Sequence, residues 1–110
     1  MKRRTKQFAI NVGVLTQGLP DSQINRAYSN QIIRSSSSVG ANYRASRRAK
    51  SNADFINKLK IVEEELDESL FFLELLAFFN QPQKEDIGIL YREGETLLKI
   101  IVASIVSSRK

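Results

Sequence analysis

The segment from Phe55 to Ala77 restricts the fold of this chain more than any other. Phe55, Leu59, Val62, Leu66, Leu70, Leu73 and Ala77 recur three and four residues apart. Side chains at those spacings stack on one face of an α-helix, so about three heptads of the pattern make one long apolar seam. A helix with such a seam has to bury it against other helices. Ser51, Asn52, Ala53 and Asp54 stand just ahead of the seam. They read as a capping box, with Ser51 as N-cap and Asp54 reaching back to the backbone. The spacing predicts a helix over residues 52–79.

Three more segments can supply partners. Residues 5–17 carry Phe8, Val12 and Leu15 as a buried stripe, with Leu19 packing just beyond. Gly18 favours a helix stop there, and Pro20 cannot continue a helix. Residues 22–49 open at Asp21 or Ser22, both good N-caps. They place Ile24, Tyr28, Ile32, Ser35 and Val39 on one face, continued by Asn42 and Ser46. This segment crosses a run of four serines and a glycine, each costing a few tenths to ~1 kcal/mol relative to alanine in a helix. The stripe keeps its phase across the run, so an unbroken helix is expected, with small side chains that let a neighbouring helix come close. Residues 83–107 open near Pro82, a good first-turn residue. Their stripe is Ile87, Tyr91, Gly94, Leu98, Ile101 and Ile105, widened by Val102 and Val106. No run alternates apolar and polar residues for long enough to make a strand. The expected fold is all-α: a single domain over residues 1–110, built as an antiparallel up-down-up-down four-helix bundle.

Composition narrows the function by exclusion. The chain has no histidine, so the commonest general base and the commonest zinc ligand are missing, and it has no cysteine. The acidic run Glu63–Glu68 could suggest a carboxylate metal site. The di-iron pattern of helical bundles needs Glu-x-x-His on two helices, and these carboxylates point mainly away from the seam. A solvated acidic face is the expected reading. No Walker loop and no G-x-S-x-G motif is present. No catalytic residue, metal or cofactor is expected, and the chain does not read as an enzyme. The apolar runs at 70–79 and 97–106 are each about half of the ~20 residues a spanning helix needs, and Glu74 and Lys99 interrupt them. The opening residues superficially resemble a signal peptide, but Asn11 interrupts the apolar part and no convincing cleavage site follows. A cytoplasmic location with no membrane partner is expected.

Charge is the positive signal. Residues 1–55 hold 10 Lys/Arg against 2 Asp/Glu, a net of +8, whereas residues 56–110 hold 7 against 10, a net of −3. Arg44, Arg47, Arg48 and Lys50 crowd one short span. Arg44 and Arg48 project away from the buried stripe of their helix, and Arg26 shares that outward face. Lys2, Arg3, Arg4 and Lys6 lie in the opening segment. If the first two helices are antiparallel neighbours, these two groups come together. All nine are candidate nucleic-acid contacts, since forked guanidinium donors suit phosphate oxygens and each neutralised phosphate releases counterions. A structural reading competes. Cations near a helix C-terminus are favoured by the helix dipole, by ~0.3–1 kcal/mol each. They could also pair with the acidic face of the third helix. A second apolar stripe runs along the back of that helix, through Ile61, Phe72, Leu75 and Phe79. It is a candidate subunit interface, because large exposed apolar patches usually mark contacts.

One stretch carries a family resemblance. Residues 38–44 read S-V-G-A-N-Y-R, followed by S-N-A-D-F-I-N-K-L at 51–59 and E-E-L-D-E-S-L at 64–70. This core, with the L-P-D turn before it and a helical segment on either side, resembles the 23S rRNA intervening-sequence proteins, also labelled S23 ribosomal proteins. The ribosomal label misleads, since some members are encoded inside an insertion in 23S rRNA genes without being ribosome components. The resemblance implies a four-helix bundle that assembles as a homopentameric ring. It also brings in a relative, the accessory variability protein of diversity-generating retroelements, which works with a reverse transcriptase and with nucleic acid through a basic surface. It supplies no catalytic motif. Residues 38–44, Asp54 and Phe55 match the family's best-defined motif and read as packing and capping residues. Where the family often has an acidic or alanine-rich stretch, this chain has the basic R-A-S-R-R-A-K at 44–50. That departure favours a polyanion partner, RNA or DNA.

Overall fold

The computed structural model describes residues 1–109 as four α-helices and one short 3-10 turn, with no strand among them. The helices are α1 (Lys2–Gln17), α2 (Gln23–Ser46), α3 (Asn52–Phe79) and α4 (Lys84–Ser108), with the 3-10 turn at Gln81–Gln83. Each helix packs against its neighbours in sequence, α1 also meets α4, and the backbones of the diagonal pairs stay more than 8 Å apart while their side chains share the core. Short connections and this neighbour pattern make an antiparallel bundle, elongated at 45 × 20 × 18 Å.

The helix ends follow local chemistry. Ser22 Oγ accepts from the Asn25 amide at 3.0 Å, and Ser51 Oγ accepts from the Asp54 amide at 3.1 Å. Asp54 does reach back, but to the Lys50 amide at 3.2 Å, one residue ahead of the expected box partner. Gly18 ends α1 in a right-handed conformation, with φ −87°. The stop is therefore not a left-handed glycine cap; Pro20, which has no N–H to donate, ends the segment. Two boundaries differ from the sequence reading. α1 begins at Lys2 rather than residue 5, because Thr5 Oγ1 donates to the Met1 and Lys2 carbonyls, 2.9 and 3.2 Å away, and helps close the first turn. α2 ends at Ser46 rather than residue 49. Arg47, Arg48 and Ala49 donate to carbonyls three residues back, so the last turn tightens and unwinds.

The core runs the length of the bundle through Phe8, Val12, Ile32, Val39, Leu59, Leu66, Leu73, Leu97 and Ile101, all essentially inaccessible. The serine run is helical throughout, as its phase required. Ser35 and Ser69 meet in the interior with hydroxyls 2.8 Å apart, and Ser69 donates to the Glu65 carbonyl. The small side chains do what their size suggests. A Cβ placed on Gly40 would lie 3.6 Å from the Thr5 carbonyl and 3.7 Å from Lys6 Cα, so α1 and α2 meet nearly backbone to backbone.

Two stripes are rotated from their expected positions. In α4 the buried places go to Leu90 and Leu97; Tyr91 and Leu98 are half-buried, and Val102 and Val106 are exposed. α4 lies between α3 and α1, so its buried arc centres between the two. Tyr91 leans to the α3 rim, where its hydroxyl donates to Glu74 at 3.1 Å. In α2, Ile24 is exposed and Asn25 is buried instead. The Asn25 and Asn80 side-chain amides bond each other reciprocally at 2.8 Å, and they also donate to the Pro20 and Leu76 carbonyls. That network ties the α1–α2 connection to the end of α3.

Candidate nucleic-acid interface

The close approach at Gly40 builds the basic surface. α1 and α2 run antiparallel, so the first turn of α1 lies beside the second half of α2. A groove of about 520 Å³ opens between them. It is lined by the small residues Ala9, Ser37, Gly40 and Ala41 and by the cations Lys2, Arg3, Lys6 and Arg44. A second groove, of about 380 Å³, is lined by Ala41, Arg44, Ala45 and Arg48. The two share Ala41 and Arg44, so five cations follow one continuous depression. None of the five makes an ion pair with a carboxylate among the described residues. α1 has no acidic residue in its first turn and no side-chain N-cap, so the positive end of its dipole adds to theirs.

The remaining candidates separate. Arg47 and Lys50 are exposed on the turn after α2 and line neither groove. Arg4 lies on the α4 side of α1, where its guanidinium donates to both Glu93 oxygens at 2.7 and 2.9 Å. Those hydrogen bonds, with the Glu93 charge, raise its pKa above the ordinary arginine value. Arg26 pairs with Asp21. It lies 18 residues before Arg44 on the same helix, about 27 Å away. Helix periodicity placed Arg26 on the right face, but axial distance removes it from the patch.

The acidic face of α3 does bind an arginine of α2, one the sequence reading did not single out. Arg34 donates to Glu65 at 3.0 Å and also to Glu68. The Glu68 bond is the largest cause of its raised pKa. No sequence spacing reports such a pair, because it depends on the rotation of α2 against α3.

The candidate interface stripe also divides. Phe72 is half-buried against the core, with its ring 6.0 Å from that of Tyr28 in α2. Phe79 meets the same Tyr28 ring at 6.1 Å but stays 47% exposed. Leu75 is half-buried and Ile61 is 38% exposed. The most exposed rings were not in the expected set: Phe71 at 54% and Phe78 at 72%. Phe71 stacks edge-on to Phe72 and Phe78 edge-on to Phe79, with centroids 5.5 and 5.0 Å apart. Five rings therefore form one chain, Phe71–Phe72–Tyr28–Phe79–Phe78, open to solvent at both ends. The seven-residue repeat of Phe71 and Phe78 was the available signal.

Among the described residues, no group of three or more His, Cys, Asp or Glu could hold a metal ion. No described helix is long and apolar enough to cross a membrane.

Comparison with known proteins agrees with this architecture. A search of curated sequences finds no match. Among solved structures, the chain is similar to a crystal structure, at 1.70 Å, of a protein of unknown function from the S23 ribosomal protein family of Bacteroides thetaiotaomicron VPI-5482. The two share 34% identity, with 94% of this chain and 96% of that one covered and a TM-score of 0.86. The family profile described as 23S rRNA-intervening sequence protein matches residues 1–103. With nearly its whole length matched and its bundle superposing on that relative, the chain belongs to the 23S rRNA-intervening sequence protein family.

Proposed function

We propose that this protein is a non-enzymatic, homo-oligomeric bundle that binds nucleic acid, or acts as an adaptor on it, through its basic α1–α2 surface. One observation carries the reading: Lys2, Arg3, Lys6, Arg44 and Arg48 follow one continuous groove without carboxylate partners among the described residues. Five like charges along one groove raise the local positive potential, which attracts a polyanion; the C-terminal end of α2 offsets part of it at Arg44 and Arg48. Phosphates neutralise such charges with charge-assisted hydrogen bonds and counterion release. A ring of five is the assembly that the family resemblance implies, and repetition of the groove around a ring would make weak contacts multivalent. A reverse transcriptase or another nucleic-acid enzyme is the partner such an adaptor would serve, in the cytoplasm.

Electrophoretic shift titrations with RNA and DNA over a salt series test this. Binding should weaken steeply with salt, and Lys6→Ala, Arg44→Ala and Arg48→Ala combined should abolish it with helicity unchanged. No shift at low salt would sink the reading. A second reading, a protein-interaction scaffold with no nucleic-acid partner, is favoured by the solvent-open ring chain on α3. It predicts no shift, together with loss of self-association or partner capture on Phe78→Glu.

A further inference from the structure

We infer that the groove takes double-stranded rather than single-stranded nucleic acid and reads only its backbone; this rests on the nucleic-acid reading above. Proteins that hold single strands without sequence preference combine a cationic track with exposed rings on which bases stack. Here the two features sit apart. The groove has five cations and no aromatic residue in its lining. Tyr43, near in sequence, is half-buried and packed on the core. The exposed rings Phe71 and Phe78 lie roughly 25–40 Å along α3 from the turn that follows Arg48. A strand in the groove would have its phosphates bound and its bases unsupported.

The nearby amide side chains that could read an adenine edge are engaged within their own helices. Gln7 Nε2 donates to Asn11 at 2.8 Å, and Asn42 Nδ2 donates to the Ser38 carbonyl and hydroxyl at 2.9 Å. The glycine, alanine and serine in the lining leave room for a convex backbone beside cations held by two packed helices. For such a site, charge density decides. A duplex presents one charge per ~1.7 Å of axis, against ~3.4 Å for one strand, and releases more counterion per contact. With no stacking to compensate, the duplex wins.

Fluorescence anisotropy on the full chain tests this, using labelled duplex RNA, duplex DNA and their separated strands, each ~20 nucleotides long and of unrelated sequences, from about 50 mM salt upward. The duplexes should bind about tenfold or more tighter than their strands, equally across sequences, with a log–log salt slope of about −4.5. Lys6→Ala with Arg44→Ala should reduce that slope by about two. Ala41→Glu sets a carboxylate where the two grooves join, on an exposed helical position that tolerates it. It should weaken duplex binding with unchanged circular dichroism. The RNA and DNA arms tell which duplex is preferred. Equal or tighter binding of single strands would overturn the duplex assignment and leave the nucleic-acid reading standing. Undiminished duplex binding by Ala41→Glu would overturn the groove as its site. No binding by either form would overturn both readings.

Discussion

Gly94 and Gly13 show how differently two helical glycines can be used. A Cβ on Gly94 would come within 2.8 Å of Leu70 Cδ2 and 3.4 Å of the Phe8 ring, where α1, α3 and α4 converge. A Cβ on Gly13 would meet nothing within 4 Å. Alanine gains up to ~1 kcal/mol over glycine inside a helix, whereas overpacking a core costs about 1–3 kcal/mol. Urea unfolding should therefore find Gly13→Ala more stable than wild type by about 0.5–1 kcal/mol and Gly94→Ala no more stable, or less. The Asn25–Asn80 pair gives a second residue-scale expectation. Asn25→Ala leaves the buried Asn80 amide two hydrogen bonds short and should cost about 1–3 kcal/mol or more. A double-mutant cycle with Asn80→Ala should show strong coupling rather than additivity. Sequence reading had no access to this pair. An asparagine five residues after a proline looks like a helix-start residue, and only the fold brings the end of α3 beside it.

Between elements, the contacts differ in kind. α1 is held to α2 by close approach, so Gly40→Leu should push α1 away and widen the groove, seen as faster amide exchange in α1 with α3 little changed. α4 is tied to α3 partly through Tyr91. Its hydrogen bond to Glu74 and its desolvation raise the phenol pKa above the ordinary value. The raised value favours the neutral phenol in the folded state. This contribution is complete below the unfolded pKa of about 10, and it is lost as pH rises through the folded pKa. Denaturant melts taken across that alkaline range should show a decline in stability that Tyr91→Phe reduces. A decline as steep in the variant would assign it to other groups. At this scale most of the fold was legible. The seam of α3 and the two serine N-caps depend on neighbours within a few residues, and those the sequence specifies. The 3-residue late stop of α2 in the reading was not correctable from sequence, because i→i+3 tightening at a helix end has no residue signature of its own.

For the whole molecule, the aromatic chain on α3 and the basic groove on α1–α2 are separate surfaces. If the aromatic surface joins subunits, light scattering should give a multiple of 12.5 kDa, with five the expected order. Phe78→Glu, at the most exposed ring, should then dissociate the assembly while helicity persists. Phe72→Glu should instead lower stability itself, since its ring closes the α2–α3 contact with Tyr28. A mass unchanged by Phe78→Glu would move the subunit contact elsewhere. Four helices with short connections were legible at this scale, as was a basic first half. Which cations meet was not, because that depends on axial offsets of tens of ångströms and on which neighbour a side chain faces.

The sequence alone determined the helices, their order and their antiparallel bundling, because hydrophobic periodicity and capping act between residues one turn apart. It also determined that the cations outnumber nearby acids in the first half of the chain. Only the tertiary structure decided that Lys2, Arg3, Lys6, Arg44 and Arg48 share a groove, that Arg4 is turned to Glu93 and Arg26 to the far end, and that Phe71 and Phe78 rather than Phe72 face solvent. The reason is rotational. A helix with more apolar surface than one seam can bury chooses its inward face only when its neighbours are in place.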